Sequence, residues 1–548
     1  MNILKRIYQL LLPEEKIKGW RVVGTSFLTA ILDFVGLAAL LPVLYFLLDG
    51  GESRKAGLWF CLLAVGVMSF KSIAITLLGR YQQHYLLSLY KRMSFSLFQA
   101  YYNRGLLYIR EQGVNRLGYE VNFVCYSFSL NMLAPLLRIV SDGLLIILVM
   151  TALLIYDWFT ALILFASFIP FMMLYIIAIR KHVREYGKQE LEARKKQSRI
   201  VNETFGGYAE LEVNGAFYTI KNSFQQGLKQ ITDNRMKMET LLRMPLFLSE
   251  LSVIVGLTLL TLLGSGDIKT LVGVFAIAAF RLLPALRGIL SGWTQIQNTS
   301  SSLQIIEEGL KDSDKHPVAE TCLSFDHKIS IDKVTYAYEN DQNIFHEFSC
   351  HINKGEYIGI KGYSGVGKST LFNMLLGFLK PQQGEIRIDN TLLTPDVQAD
   401  WLKKTGYVQQ DVFIFQGSLA ENIALGCKDI DKDKIRKVLE QVSLHQWVET
   451  LPHGIDTPLG EFGGRLSGGQ KQRIGIARAL YKEAEVILLD EATSALDNHT
   501  EKAVNETLYQ LKQDYPGLTI LSIAHRESSL AYCDRIINMD TPKSDEDD

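Results

Sequence analysis

The sequence predicts a multi-domain chain: an all-α six-helix transmembrane domain followed by an α/β domain built around a phosphate-binding loop. Three observations predict it. Apolar runs long enough to cross a bilayer crowd into the first 300 residues. From "KISIDKVTYAY" onward, short alternating strand patterns replace them. Within that second half, "GYSGVGKST" at 362–370 follows a strand and opens a helix.

The spans come first. Residues 22–48 carry only Asp33 as a charge, and 56–78 carry Lys71. The run 139–156 includes Asp142, with Arg138 just before it, and 158–179 is uninterrupted. Residues 245–264 carry Glu250, and 271–290 carry Arg281 and Arg287. Five Lys and Arg lie in residues 1–21, six in 79–127 and thirteen in 180–244, whereas the other connections hold few. By the rule that basic loops stay inside, both ends of the unit face the cytosol. The long internal connections lack strong breakers and are expected to continue the spans as helices. Residues 1–21 read as an amphipathic helix on the membrane surface, not a cleaved signal, because Glu14, Glu15 and Lys16 interrupt the apolar patch. The division expected is therefore 1–21 surface helix, 22–300 six-span domain, 301–325 linker and 326–548 nucleotide-binding domain.

Composition narrows the function classes. A formal net charge of −1 offers no handle for nucleic acid. The six cysteines are scattered with no CxxC pair, so neither a disulfide framework nor a zinc site is indicated.

The loop 362–370 fits G-x-x-x-x-G-K-S, with Gly362, Gly367, Lys368 and Ser369 at the required spacing. Glycines let backbone N–H groups turn onto phosphates, and the helix N-terminus behind them adds a positive dipole end. Lys368 would reach the β and γ phosphates of ATP, and Ser369 would hold Mg²⁺. Further on, "EVILLDEATSALD" is an apolar strand ending in two carboxylates. Asp490 at its end suits Mg²⁺ coordination, and Glu491 is placed to activate water. In "LSGGQKQRIGIARAL", Ser467 and Gln470 form a capping box, and Gly468 and Gly469 leave the helix amides bare, making a second anion site. One ATP does not need two such helix ends. A head-to-tail pair of chains does.

Taken together these motifs resemble those of ATP-binding cassette exporters, with membrane and P-loop NTPase domains fused in one chain. The resemblance spans nearly the whole length. It identifies Gly362, Ser364, Gly365, Gly367, Lys368, Ser369 and Thr370 with the Walker A loop. Ser467, Gly468, Gly469 and Gln470 match the signature, Asp490 and Glu491 Walker B, and 494–497 the D-loop. It makes Gln410 in "GYVQQDVFIF" the sensor glutamine and a Mg²⁺ neighbour, and His525 in "SIAHRES" the switch histidine. Tyr338 is where an aromatic ring stacks on adenine, with Tyr336 the alternative. Coupling helices are implied near 106–116 and 206–218. Two equivalent, hydrolysis-competent sites in a homodimer are implied, because every motif position keeps its expected residue. After "CDRIINMD" the family leads one to expect a hairpin and a further helix, where this sequence reads "TPKSDEDD".

For cargo, "LDFVGLAALLPVLYFL" and "AIAAFRLLPALRGILSGW" make the membrane half most similar to flippases for lipid-linked oligosaccharides. Charges within spans face an interior or a water-filled cavity. Arg138, Arg281 and Arg287 are candidates to grip a diphosphate through planar guanidinium forks. Asp33, Asp142 and Glu250 are their possible ion-pair partners. Other lipids, peptides and drug-like amphiphiles remain open as cargo. A nucleotide-gated channel or regulator would be expected to lose Glu491 or the signature glycines. A soluble ATPase acting on nucleic acid is incompatible with six spans.

Overall fold

The computed structural model describes residues 3–48, 54–263, 268–311, 323–338, 344–460, 463–464, 466–492, 498–524 and 526–540. It divides into two compact units, Met1–Ser313 and Asp314–Asp548.

The first unit is all helix among its described residues. The surface segment, expected as one helix over 1–21, is two: Ile3–Leu10, then a helix beginning at Pro13 and running on to Ala38. Proline has no N–H to donate and its fixed φ suits a first helical position, so it starts a new helix and does not extend the old one. The Glu15 carboxylate accepts from the Leu12 N–H at 3.0 Å and holds the corner. Arg6 donates to Glu307, and Arg92 to Glu15, which ties this N-terminal segment to the second-span helix and to the exit helix Ser300–Leu310.

Three helices run far past a bilayer: Arg54–Asn103, Trp158–Gly206 and Phe217–Leu263, of 50, 49 and 47 residues. At 1.5 Å per residue each is roughly 70–75 Å long, against about 30 Å of hydrocarbon. Asp157 starts the second of them by accepting from the N–H groups of Phe159 at 3.3 Å and Thr160 at 3.1 Å. Short helices, Gly105–Gln112 and Tyr208–Val213, lie at the turns between long helices where the resemblance implies coupling helices. Gly105 and Gly113 turn the first of these corners at φ of 81° and 79°, a region that costs a glycine nothing.

Among the described residues, five helical stretches are long and apolar enough to cross a membrane. The expected span over 245–264 lies in the long Phe217–Leu263 helix, whose described residues include the apolar stretch Glu250–Leu263. The third stretch, Val114–Tyr156, begins well before the expected 139. Its early part contains two π-helical segments, Glu120–Val124 and Phe128–Leu133.

Among its described residues the second unit holds two sheets. The antiparallel one has strand order β2-β1-β4-β5, from β1 (Lys328–Tyr336), β2 (Phe345–Asn353), β4 (Gln383–Ile388) and β5 (Thr391–Leu392). The parallel one has order β6-β7-β8-β3-β9, from β3 (Tyr357–Lys361), β6 (Thr405–Val408), β7 (Val486–Asp490), β8 (Thr519–Ile523) and β9 (Arg535–Asn538). All five residues of β7 are buried, as a strand covered on both faces requires. In open parallel sheets ligands bind beyond the carboxyl ends of the strands. The phosphate loop after β3 and Asp490 at the end of β7 share that edge.

Candidate nucleotide site and membrane cavities

The phosphate loop joins β3 to the helix Lys368–Leu375. Gly365 and Gly367 have φ of 89° and 104°, which only glycine adopts without strain. A Cβ on Gly367 would also lie 2.3 Å from Ile344 Cγ2. Lys368 is buried, and its ammonium donates to the carbonyls of Gly362 at 2.8 Å and Tyr363 at 3.0 Å, across the mouth of the loop. Ser364, Gly365 and Ser369 are exposed along that mouth, and Thr370 is buried behind it.

Ser369 Oγ donates to Asp490 Oδ1 at 3.0 Å, and the Tyr407 hydroxyl donates to Oδ2 at 3.0 Å. Burial pushes the Asp490 carboxyl above its ordinary value, and these two hydrogen bonds oppose the rise. A serine hydroxyl and a carboxylate converging beside a phosphate loop form a donor set that fits a hydrated Mg²⁺. Glu491 follows with φ of 49°, a left-handed conformation uncommon for a residue with a side chain. The sharp turn takes the chain out of the buried strand immediately after Asp490. Gln410 lies exposed just past the end of β6.

Tyr336 is buried in the core, whereas Tyr338 is half-buried with its hydroxyl 3.3 Å from Thr370 Oγ1. Of the two, Tyr338 is the ring beside the phosphate loop. The signature helix, Gly468–Tyr481, has the expected capping box: Ser467 Oγ accepts from the Gln470 N–H, and Gln470 Oε1 accepts from the Ser467 N–H. Ser467 and Gly468 are exposed, so the helix end is open, while Gly469 is buried. His525 and the segment 494–497 lie outside the described residues.

In the membrane unit the three arginines separate. Arg138 and Arg287 line one cavity of about 650 Å³. Arg281 is instead bound to Asp33, which also takes Lys71 at 2.8 Å. Gly36 makes room for this cluster, since a Cβ there would lie 2.7 Å from Lys71 Cδ. A guanidinium sharing one carboxylate with an ammonium is a cross-link between spans, the ion-pair alternative that the sequence left open for Arg281. Arg138 sits 3.4 Å from Asp142, the pairing that the sequence left open. Its side chain nonetheless remains 65% exposed, so it still presents charge to the cavity.

Two further arginines of the cavity escaped the sequence reading, Arg235 and Arg243. They precede the apolar run of their helix, so they counted only as cytosolic charge. Their spacing of two helical turns was the available signal. Among the described residues four guanidiniums thus line the cavity against one carboxylate, Glu239, which pairs with Arg235 at 2.8 Å. Arg243 and Arg287 have no carboxylate partner among the described residues. A second cavity of about 460 Å³ adjoins it through Arg138, Gly288, Ser291 and Gln295, which line both.

The family model for ABC transporters matches residues 345–494. The ATP-dependent lipid A-core flippase of Ralstonia nicotianae is 30% identical over 444 residues, 77% of this chain and 72% of that protein. The chain belongs to the ABC transporter family. Like the lipid A-core flippase of Burkholderia thailandensis, 29% identical over 534 residues and spanning 93% of this chain and 86% of that one, the transporter joins membrane and ATPase parts in one polypeptide. A solved bacterial Atm1-family ABC exporter with ATP bound shares its fold at a TM-score of 0.75 and 23% identity, covering 95% of this chain and 93% of that one. This ABC exporter is a multi-pass membrane protein that binds ATP and couples its hydrolysis to transport.

Proposed function

We propose that two copies of this exporter form a homodimer in which each ATP lies between one chain's phosphate loop and the partner's Ser467 helix end. ATP binding and hydrolysis then move an anionic lipid-linked glycan, a polyprenyl-diphosphate oligosaccharide, from the cytosolic side of the cell membrane outward. The observation that carries the cargo reading is the cavity ringed by Arg138, Arg235, Arg243 and Arg287. Planar guanidiniums in excess over carboxylates suit a diphosphate, which accepts bidentate hydrogen bonds from them. The adjoining cavity offers hydroxyls and amides, among them Ser26, Thr29, Gln83 and Ser141, a lining that suits sugar hydroxyls. Similarity to proteins named as lipid A-core flippases supports a lipid cargo.

In the nucleotide domain Tyr338 stacks on adenine, and Lys368 with the loop amides holds the phosphates. Ser369, Asp490 and Gln410 would hold Mg²⁺, which would neutralise negative charge on the nucleotide's phosphates. Glu491 orients and deprotonates water, and His525 contacts the γ-phosphate. ATP favours the closed dimer, and hydrolysis releases it, so the cavity alternates between the two sides. The nucleotide domain and both termini lie in the cytosol.

The test is flipping in liposomes. Purified protein should move a fluorescent prenyl-diphosphate glycan in an ATP-dependent way, and its Glu491→Gln form should not. Equal transport of the same lipid without its diphosphate would refute the cargo reading. A fully active monomer would refute the dimer.

A further inference from the structure

The end of β6 carries bonds running in two directions. Toward the nucleotide side, the Tyr407 hydroxyl donates to Asp490 Oδ2 at 3.0 Å, leaving Oδ1 to Ser369. Toward the signature helix, the carbonyl of Gln410 accepts from Gln472 Nε2 at 2.7 Å, and that of Gln409 lies 3.4 Å from the same nitrogen. Gln472 stands two residues past the Ser467–Gln470 capping box and is 5% exposed. Its Oε1 is buried without a hydrogen-bond partner. The bonds of its amide nitrogen are thus what its polarity contributes here.

Packing makes this junction stiff. A Cβ on Gly475 of the signature helix would lie 2.8 Å from Val408 Cγ1, and one on Gly406 would lie 2.3 Å from Ala479 Cβ. Helix and strand end therefore touch backbone to side chain at two points, with Gln472 pinning a third. Close-packed contacts of this kind transmit displacement and do not absorb it.

We propose that Tyr407 and Gln472 are positioning residues that couple the two nucleotide sites of the dimer. This rests on the dimer proposed above. In that arrangement Asp490 and Ser369 serve the chain's own ATP, while the Ser467 end of the signature helix serves the ATP held by the partner. One short backbone segment, 407–410, then touches both. Movement of the Asp490 carboxylate is passed through Tyr407 to the segment, and through the Gln410 carbonyl and Gln472 to the helix that grips the other nucleotide.

The test uses full-length protein with Tyr407→Phe, Gln472→Leu and the double variant. Each removes one donor while keeping most of the side-chain volume. Three readouts are taken: ATP affinity without Mg²⁺, the dependence of hydrolysis on ATP concentration, and melting temperature. Wild type is expected to hydrolyse with a Hill coefficient above 1. Each single variant should bind ATP with affinity within about twofold of wild type yet show a Hill coefficient falling toward 1 and a several-fold lower kcat. The double variant should be no worse than the worse single one, because both bonds serve the same connection. Variants that keep wild-type cooperativity while melting earlier would overturn the inference and leave these residues a structural role only. Additive losses in the double variant would overturn it as well. A wild type that is itself non-cooperative and monomeric would overturn the dimer and this inference together, which separates the two failures.

Discussion

Replacing Arg287 with alanine should weaken cargo recognition, and replacing Arg281 should not. Both lie on the last described apolar helix, Ile268–Asn298, six residues apart in sequence, yet their surroundings differ. Arg287 is exposed to the larger cavity and has no carboxylate partner among the described residues. Arg281 shares Asp33 with Lys71. A hydrogen bond to a charged group contributes about 1.5–3 kcal/mol. Every 1.4 kcal/mol corresponds to about a tenfold change in affinity. The cavity is about 650 Å³ and polar-lined, so the low end applies, and Arg287→Ala should raise the half-saturating concentration of a diphosphate lipid about tenfold. Screening lengths near 8 Å at physiological salt imply that raising the ionic strength shrinks the difference. Arg281→Ala should leave that concentration unchanged, because Lys71 still pairs with Asp33. Asp33→Ala should instead strand two cations and cost about 3–5 kcal/mol of stability. The assay is cargo-stimulated ATPase in liposomes, paired with melting temperatures. If Arg281→Ala raised the half-saturating concentration as much as Arg287→Ala did, with melting unchanged, the division between cargo-facing and cross-linking arginines would be refuted.

Gly367→Ala should abolish ATP binding, since a left-handed φ of 104° and a Cβ 2.3 Å from Ile344 Cγ2 together exceed the roughly 1–3 kcal/mol of backbone strain alone. Gly365→Ala, in open space at φ of 89°, should show the strain without the clash, and equilibrium nucleotide binding distinguishes the two. Glu491→Gln should lower turnover by about 10²–10⁴-fold, the usual contribution of a general base, with ATP still bound. Burial raises the Glu485 carboxyl, but hydrogen bonds from Lys404 and Lys354 outweigh it and hold the group below its ordinary 4.5. Its stabilising share is present above that value and lost as pH falls through the lowered one, so Glu485→Gln should flatten the acid limb of the nucleotide domain's melting curve.

Local chemistry made most of the nucleotide site legible. Glycine spacing, a capping serine and an apolar strand ending in Asp490 are each short-range requirements, and one chain displays them in order. The membrane unit was legible in helix type and length but less so in detail. Pro13 looked like part of one amphipathic segment because hydrophobic pattern says nothing of where a missing N–H will break it. The partners of buried charges were the hardest to read. Asp33 and Arg281 are far apart in sequence, and only packing decides that Lys71 joins them while Arg235 and Arg243 line one cavity with Arg287. Tyr407 was invisible for the same reason, since its hydroxyl matters only through a carboxylate on a neighbouring strand.

The fifty-residue helix Arg54–Asn103 contains no proline, whereas Trp158–Gly206 has Pro170 among its apolar turns. The first is a lever with no joint: over roughly 75 Å, a tilt of about 5° carries its far tip about 6 Å. In the second, the missing N–H at Pro170 leaves a soft point where bending is cheap. Two rods of nearly equal length thus respond differently to the same push, one swinging whole and the other flexing partway along.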